Sequence, residues 1–174
     1  MQNQLCSQNT PISRRAVSIV LWLALGTGLA ISIFTVVEEM CLATACRDTA
    51  SFTFFGVGMG RFGIAYFISM LILLRMRTRS PLLEWALAAM VFGGVGSEFR
   101  LLWIQKYIIG GWCPLCVSIC CALFIAGITL LVEKVLATES LPGGKKSLAG
   151  WGAFVLVMTA AGLAVAVVGV HALT

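Results

Sequence analysis

Two pairs of cysteines are the residues of this chain best suited to chemistry. Cys41 and Cys46 are separated by four residues, and Cys113 and Cys116 form a C-x-x-C in the run GGWCPLCV. Each pair lies at the end of a strongly apolar segment. Thiolates exchange disulfides by attacking a sulfur through a mixed-disulfide intermediate. Two such pairs at one membrane surface are therefore able to pass a disulfide from one pair to the other.

The C-x-x-C is predicted to begin a helix, which would make its first cysteine reactive. Backbone N–H groups and the positive end of the helix dipole stabilise a thiolate at a helix start. Pro114 suits the first helical turn, where its missing N–H costs nothing. Cys116 would lie one turn deeper, where a lipid-soluble oxidant can meet it, whereas the loop carrying Cys41 and Cys46 is expected to meet a soluble protein.

The composition predicts an integral membrane protein. Of the 174 residues, 60% are hydrophobic and 11% are charged, and the mean hydropathy is +1.00. A soluble domain of this size cannot bury so much apolar surface, and each spanning helix needs about 20 apolar residues. The formal net charge is +5, but the basic residues are dispersed along the chain, so we expect no nucleic-acid partner.

Five helical spans are predicted, in a single domain that covers residues 1–174. The first follows Arg14 and Arg15 as a signal peptide would, but it ends in no small-residue cleavage site and we expect it to be retained. Irregular backbone is not tolerated against lipid, so each span should be an α-helix. The predicted spans are approximately 16–37, 56–74, 82–103, 112–132 and 148–173.

The charges predict which side of the membrane each cysteine pair faces. With the N-terminus inside, 8 of the 12 basic residues fall in inner segments and 4 in outer segments. The positive-inside rule therefore favours a cytoplasmic N-terminus and an outer C-terminus. Both cysteine pairs then face the non-cytoplasmic side, where disulfides form and persist.

The sequence alone is also compatible with structural or zinc-binding roles for the cysteines. The pair Cys41 and Cys46 can be a structural staple, although a disulfide that closes so small a loop stabilises little. A C-x-x-C by itself fits zinc as well as redox chemistry. Two pairs on an oxidising face with no histidine nearby favour redox chemistry, so we expect no metal site.

Two stretches, CLATACRDTASFTFFGVGMGRFGIAYF and IQKYIIGGWCPLCV, resemble bacterial members of the vitamin K epoxide reductase (VKOR) family. The resemblance covers roughly residues 41–132, and it includes the order of a loop pair after span one and a C-x-x-C at the head of span four. DsbB-type oxidases carry their C-x-x-C in the first outer loop instead. The resemblance implies an all-α four-helix transmembrane bundle around a quinone, ubiquinone or menaquinone, with a fifth transmembrane helix, in the bacterial inner membrane.

The resemblance also implies roles for the four cysteines. Cys116 would face the quinone, and Cys113 would exchange with Cys46. Cys41 would exchange with a separate periplasmic thioredoxin-fold protein of the DsbA-like kind. Together these roles imply an oxidoreductase that re-oxidises the partner, passes two electrons to the membrane quinone pool and so supports disulfide formation.

Three further residues are expected near the quinone. Ser51 falls near a serine of the family pattern, and Met59 occupies the position of an asparagine in the pattern G-I-P-N-A-x-x-G, which here reads GVGMGRFG. Arg61 either approaches a quinone carbonyl or extends its charged end to the membrane interface.

The competing function is a soft-metal carrier, of the kind that moves mercury, which would use the outer thiols together with Cys120 and Cys121. The simpler interpretation of these two adjacent cysteines is helix packing. A reductase that runs in the opposite direction is a third possibility.

Elsewhere, Glu98 and Arg100 are expected to form a solvated outer rim. Glycines in the third span are expected to allow close helix packing.

Overall fold

The computed structural model describes residues 10–41, 52–139 and 144–172, with side chains for 15–37, 52–137 and 148–170. Five helices dominate it, and all five are long and apolar enough to cross a membrane. The predicted helical, multi-pass architecture is confirmed at this level. The helices are α1 (Thr10–Cys41), α2 (Met59–Met76), α3 (Pro81–Ile104), α4 (Pro114–Glu139) and α5 (Gly144–Gly169).

Helix ends differ from the predicted spans, because hydropathy marks only the apolar part of a helix. The prediction of helix from residue 56 is wrong, since the second helix begins at Met59 after a short strand. The predicted fifth span is wrong at its end as well. Its helix stops at Gly169 and the chain continues as a strand.

A small antiparallel sheet, absent from the prediction, lies beside the helix ends. The turn between its first two strands has positive φ at both central residues, 50° at Phe55 and 79° at Gly56. Two-residue turns with positive φ at both positions match the twist of a hairpin. The Phe55 N–H donates to the carbonyl of Gly169 at 2.9 Å, which ties the hairpin to the end of α5. The strands are β1 (Phe52–Phe54), β2 (Val57–Gly58) and β3 (Val170–Ala172), in the order β2-β1-β3.

Helices α1 to α4 form a ring in which α1 and α3 each pack against both α2 and α4, while α5 packs mainly on α3. The centre of the ring is apolar, and its fully buried side chains include Leu21, Leu25, Phe67, Met70 and Leu87. Lipid is as apolar as these side chains, so close packing rather than exclusion of water holds spanning helices together.

Glycines bring α3 and α5 into close contact, as expected of the third span. A Cβ atom on Gly96 would overlap the carbonyl of Thr159, and one on Gly162 would overlap the carbonyl of Gly93. The Ser97 hydroxyl bridges the two helices, since it lies 3.1 Å from the Gly162 carbonyl and 3.2 Å from that of Gly93.

One end of the bundle gathers the start of α2, the end of α3, the start of α4 and the end of α5. A buried cluster holds it together, in which Phe54 of the hairpin packs with Ile104, Ala166 and Val170. We call this the cysteine end, because Cys113 directly precedes α4 here.

Helix α1 also ends at the cysteine end. Gly28 lies against Phe67 and Ser32 against Gly63, so α1 runs antiparallel to α2. Continued along both helices, this register carries Cys41 five residues past the level at which α2 begins. At about 1.5 Å per residue, the backbone of Cys41 lies about 7.5 Å beyond that level.

Candidate functional site

Cys113 and Cys116 occupy the start of α4. Pro114 is the first helical residue, and the Cys113 carbonyl accepts an early helical hydrogen bond from the Val117 N–H at 3.1 Å. The predicted helix start is therefore confirmed. Cys113 is buried, with 3% of its surface exposed, and Cys116 is half-buried. Both cysteines thus belong to the packed interior of the cysteine end.

Gln105 connects the end of α3 to Cys113. It begins a π-helical turn, Gln105–Ile109, which closes on Gly110 in the left-handed conformation. Its side chain is 1% exposed, and its Oε1 accepts the Cys113 N–H at 3.2 Å. Its Nε2 is buried and has no hydrogen-bond partner among the residues described. An unpaired buried amide donor costs about 1–3 kcal/mol, and π-helical turns are frequent at functional sites.

The register of α3 against α4 sets the depth of each polar group. Gln105 meets Cys113 through its hydrogen bond, and this antiparallel register, in which Gly94 lies against Leu123, places Glu98 level with Cys120. Glu98 and Gln105 are seven residues apart at the end of α3, and Cys113 and Cys120 are seven residues apart at the start of α4. Each interval is about two helical turns, and the two helices run in opposite directions. Cys116 lies between these two levels. It shares a face of α4 with Cys113 and Cys120, since residues three and four apart on a helix are neighbours.

Glu98 corrects one of our expectations. Only 7% of its surface is exposed, so the predicted solvated rim is wrong for this residue. Tyr66 of α2 approaches the same stretch of α3, since its hydroxyl lies against Gly94 and donates to the carbonyl of Met90. The sequence shows that Glu98 is near the end of a span, but not which neighbour its side of the helix faces.

Arg100 is only half-buried, and its guanidinium carbon lies 4.6 Å from the centre of the Trp103 ring. This geometry is a cation–π contact. The Arg100 Nε atom is buried and has no hydrogen-bond partner in the described part of the chain. Arg100 is therefore also less solvated than the predicted rim requires.

The remaining predicted site residues are distributed as follows. Cys41 is the last residue of α1, and only its backbone belongs to the described structure. Cys46 and Ser51 lie outside the described residues. Met59 is the first residue of α2 and packs, half-buried, against the cluster of the cysteine end. Arg61 is exposed on the first turn of the same helix.

The adjacent cysteines of α4 have different surroundings. Cys120 is 4% exposed and lies level with Glu98, whereas Cys121 is exposed on another side of the helix. Within residues 10–41, 52–139 and 144–172, no group of three or more His, Cys, Asp or Glu residues is arranged to hold a metal ion. In the described part of this end, the groups available for chemistry are therefore the cysteine thiols and the buried polar side chains of Gln105 and Glu98.

The opposite end of the bundle carries ion pairs. Arg77 donates two hydrogen bonds to the carboxylate of Glu133, at 2.9 and 3.2 Å. Lys134 lies 3.6 Å from the Glu84 carboxylate.

Comparison of the chain with models of protein families, with curated proteins and with solved structures finds no match.

Proposed function

We propose that this protein is a membrane thiol–disulfide oxidoreductase, similar to the vitamin K epoxide reductase family. It re-oxidises a separate periplasmic thioredoxin-fold protein of the DsbA-like kind and transfers two electrons to a membrane quinone. The observation that carries the proposal is the shared location of Cys113, Cys116 and the end of α1 at Cys41. Disulfide transfer needs sulfurs at the same end of the bundle, and the register of α1 on α2 supports that arrangement.

The relay balances as a series of thiol–disulfide exchanges. The reduced partner attacks the Cys41–Cys46 disulfide and leaves oxidised, with both loop cysteines converted to thiols. Cys46 then attacks Cys113 and releases the thiolate of Cys116 toward the acceptor. Cys41 resolves the Cys46–Cys113 bond, so the disulfide returns to the loop and Cys113 and Cys116 become a dithiol. Two electrons and two protons leave this dithiol when its own disulfide re-forms.

A quinone supplies the acceptor for two electrons and two protons, and the residues of the cysteine end fit it. The unpaired Nε2 of Gln105 is a donor suited to a carbonyl oxygen, and Cys116 lies one turn inside the helix start. Met59 adds apolar surface, and Arg61, on the following turn, supplies a positive charge at the rim. Ser51 belongs to the same proposed set by its position in the family pattern alone.

The energetics of transfer favour oxidation of the partner. A DsbA-like protein is a strong oxidant, with a reduction potential of about −120 mV. Its re-oxidation needs an acceptor that is more oxidising still, and the cellular thiol pools have lower potentials than this. A quinone satisfies the requirement, which is why the reverse, reductase direction is disfavoured.

The distribution of charge supports a bacterial inner-membrane protein with a cytoplasmic N-terminus and a periplasmic C-terminus. Basic side chains of the described residues are more numerous at the opposite end than at the cysteine end. The positive-inside rule then assigns the cysteine end to the periplasm. At the opposite end these residues are Arg15, Arg75, Arg77, Arg79 and Lys134, and at the cysteine end they are Arg61, Arg100 and Lys106.

The alternative function, a soft-metal carrier, has less support from the geometry. It requires Cys120 and Cys121 to hand over a metal together, yet one is buried against Glu98 and the other is exposed elsewhere on the helix. Loss of all function in a Cys120→Ala/Cys121→Ala double variant, with function retained in Cys41→Ala, would nevertheless establish the carrier.

Redox-state mapping in membranes tests the proposal. The cysteines are labelled with and without an added short-chain quinone analogue, which should convert Cys113 and Cys116 from thiols to a disulfide. Cys46→Ala should stop exchange with a thioredoxin-fold dithiol but leave oxidation by quinone intact. Cys121→Ala, a change at an exposed cysteine of the same helix, is the matched control and should behave as the unmodified protein.

Two outcomes contradict the proposal. One is a C-x-x-C whose redox state does not respond to quinone. The other is labelling of Cys41 and Cys113 by an impermeant maleimide from opposite faces of the membrane, since sulfurs so separated cannot exchange.

A further inference from the structure

Glu98 places an ionisable group inside the bundle, close to the level of Cys116. The residue is 7% exposed, and the register of α3 on α4 places it level with Cys120. Cys120 lies one turn deeper than Cys116 on the same face of that helix, a step of about 6 Å along the axis. Ionisable side chains within spanning helices are energetically costly and tend to mark proton or substrate pathways.

No structural partner explains the burial of Glu98. Among the described residues, none donates a hydrogen bond to its carboxyl group, and the ion pairs lie at the opposite end of the bundle. The hydroxyl of Tyr66 donates to the Met90 carbonyl and not to Glu98. A buried polar group without a partner costs stability. A role in folding is therefore a poor reason for a carboxyl group here.

The titratable groups that face Glu98 come from two helices. Tyr66 of α2 approaches α3 at Gly94, one turn before Glu98, and Cys120 of α4 lies level with Glu98. The described side chains of α1 and α5 contribute no titratable group at this level, and Arg100, two residues along α3, stacks on Trp103. The immediate surroundings therefore contain a phenol and a thiol but no fixed counter-charge.

We propose that Glu98 is the proton carrier of the bundle interior: it gives its proton to the electron acceptor and recovers one from the Cys116 thiol as the Cys113–Cys116 disulfide forms. This inference rests on the proposed function and adds a residue to it. Two S–H bonds break and one S–S bond forms, while the quinone takes up two electrons and two protons to become the quinol. Glu98 carries one proton, and the second, from Cys113, exchanges through water at the cysteine end. Glu98 ends each cycle in the state in which it began.

The first test measures oxidation of the pre-reduced, purified full-length protein by a short-chain quinone analogue across a pH series. Glu98→Gln keeps the shape of the side chain and removes the transferable proton. Proton transfer by a positioned side chain contributes about 10²–10⁴-fold to a rate, so we expect a loss of about 100-fold or more and a changed pH profile. Glu98→Asp, which keeps a carboxyl group, should recover most of the rate. Glu84→Gln, on the first turn of the same helix, is the matched control and should have no effect.

The second test needs no quinone. Infrared difference spectra between the reduced and the electrochemically oxidised protein should contain a shifted carboxyl C=O band, because the surroundings of the protonated Glu98 change when the Cys116 thiol is lost. The band should be absent in Glu98→Gln and present, shifted, in Glu98→Asp. Exchange between the loop cysteines and a dithiol partner should proceed at an unchanged rate in both variants.

The outcomes separate this inference from the proposed function. If the unmodified protein is oxidised by quinone and Glu98→Gln is oxidised equally fast with the same pH profile, Glu98 carries no proton although the proposed function stands. If Glu98→Gln slows loop exchange as much as oxidation by quinone, the residue is structural and the inference fails. If quinone does not oxidise the unmodified protein, the proposed function itself is refuted.

Discussion

Replacement of Gln105 by leucine should separate stability from acceptor binding. The substitution removes the acceptor of the 3.2 Å hydrogen bond from the buried Cys113 N–H, at a cost of about 1–3 kcal/mol. It also removes a buried, unpaired Nε2 whose desolvation costs about 1–3 kcal/mol. The two effects oppose each other, and leucine fills a similar volume. We expect the free energy of unfolding to change by no more than about 1 kcal/mol.

Affinity for the quinone should fall, because the substitution removes the Gln105 Nε2 donor, which has no hydrogen-bond partner among the described residues. One neutral hydrogen bond is worth about 1 kcal/mol, which corresponds to about a fivefold weaker Kd. The assay is unfolding in detergent at increasing concentrations of a quinone analogue, which yields stability and affinity from the same titration. Lys106→Met, at an exposed neighbour on the same π-helical turn, is the control.

Two results would refute this reasoning about Gln105. A loss of more than about 3 kcal/mol in unfolding free energy with unchanged quinone affinity would show that the amide is structural, since this exceeds the net value of one hydrogen bond. A stability gain with unchanged affinity would show that the unpaired Nε2 is a defect with no ligand.

Two further predictions concern packing and charge, both measured by denaturant unfolding in detergent. Gly162→Ala should destabilise the protein by about 1–3 kcal/mol, because the new Cβ would overlap the Gly93 carbonyl. Gly152→Ala, where nothing lies within 4 Å of the new Cβ, should be neutral or slightly stabilising, and equal losses would contradict the α3–α5 contact. Arg77→Met should cost about 2 kcal/mol, since it leaves the partly buried Glu133 carboxylate unpaired. Adding Glu133→Gln should restore most of that loss, and additive losses would indicate that the pair is not coupled.

Much of the fold was predictable because lipid imposes strict requirements on a chain. A bilayer demands about 20 apolar residues in helical form per span, so five such stretches predict five helices. The helix start at Pro114 followed from the same local rules. Helix ends were less predictable, because polar residues such as Glu139 extend a helix beyond its apolar part. The strand at Val170–Ala172 was missed, since only its pairing with the distant Phe52–Phe54 distinguishes it from further helix.

The candidate site likewise has features that the sequence predicts and features that it does not predict. The two cysteine pairs and their spacing are visible in the sequence, because thiol chemistry depends on residue type and on proximity along the chain. The polar groups that surround Cys116 were not visible as such. Nothing in the sequence distinguishes Gln105 from other polar residues near a span, and the position of Glu98 near the end of a span predicts a solvated rim, whereas both side chains are buried.

The sequence by itself determined that the chain forms five helices long and apolar enough to cross a membrane and that its C-x-x-C begins a helix, because both depend on local composition and on backbone geometry. Only the tertiary structure decided that Glu98 and Gln105 face the cysteines of α4 from the interior. Which side of a helix faces a neighbour, and at what register, depends on close packing between segments far apart in the chain. In this bundle the antiparallel register of α3 on α4 places these residues beside the cysteines.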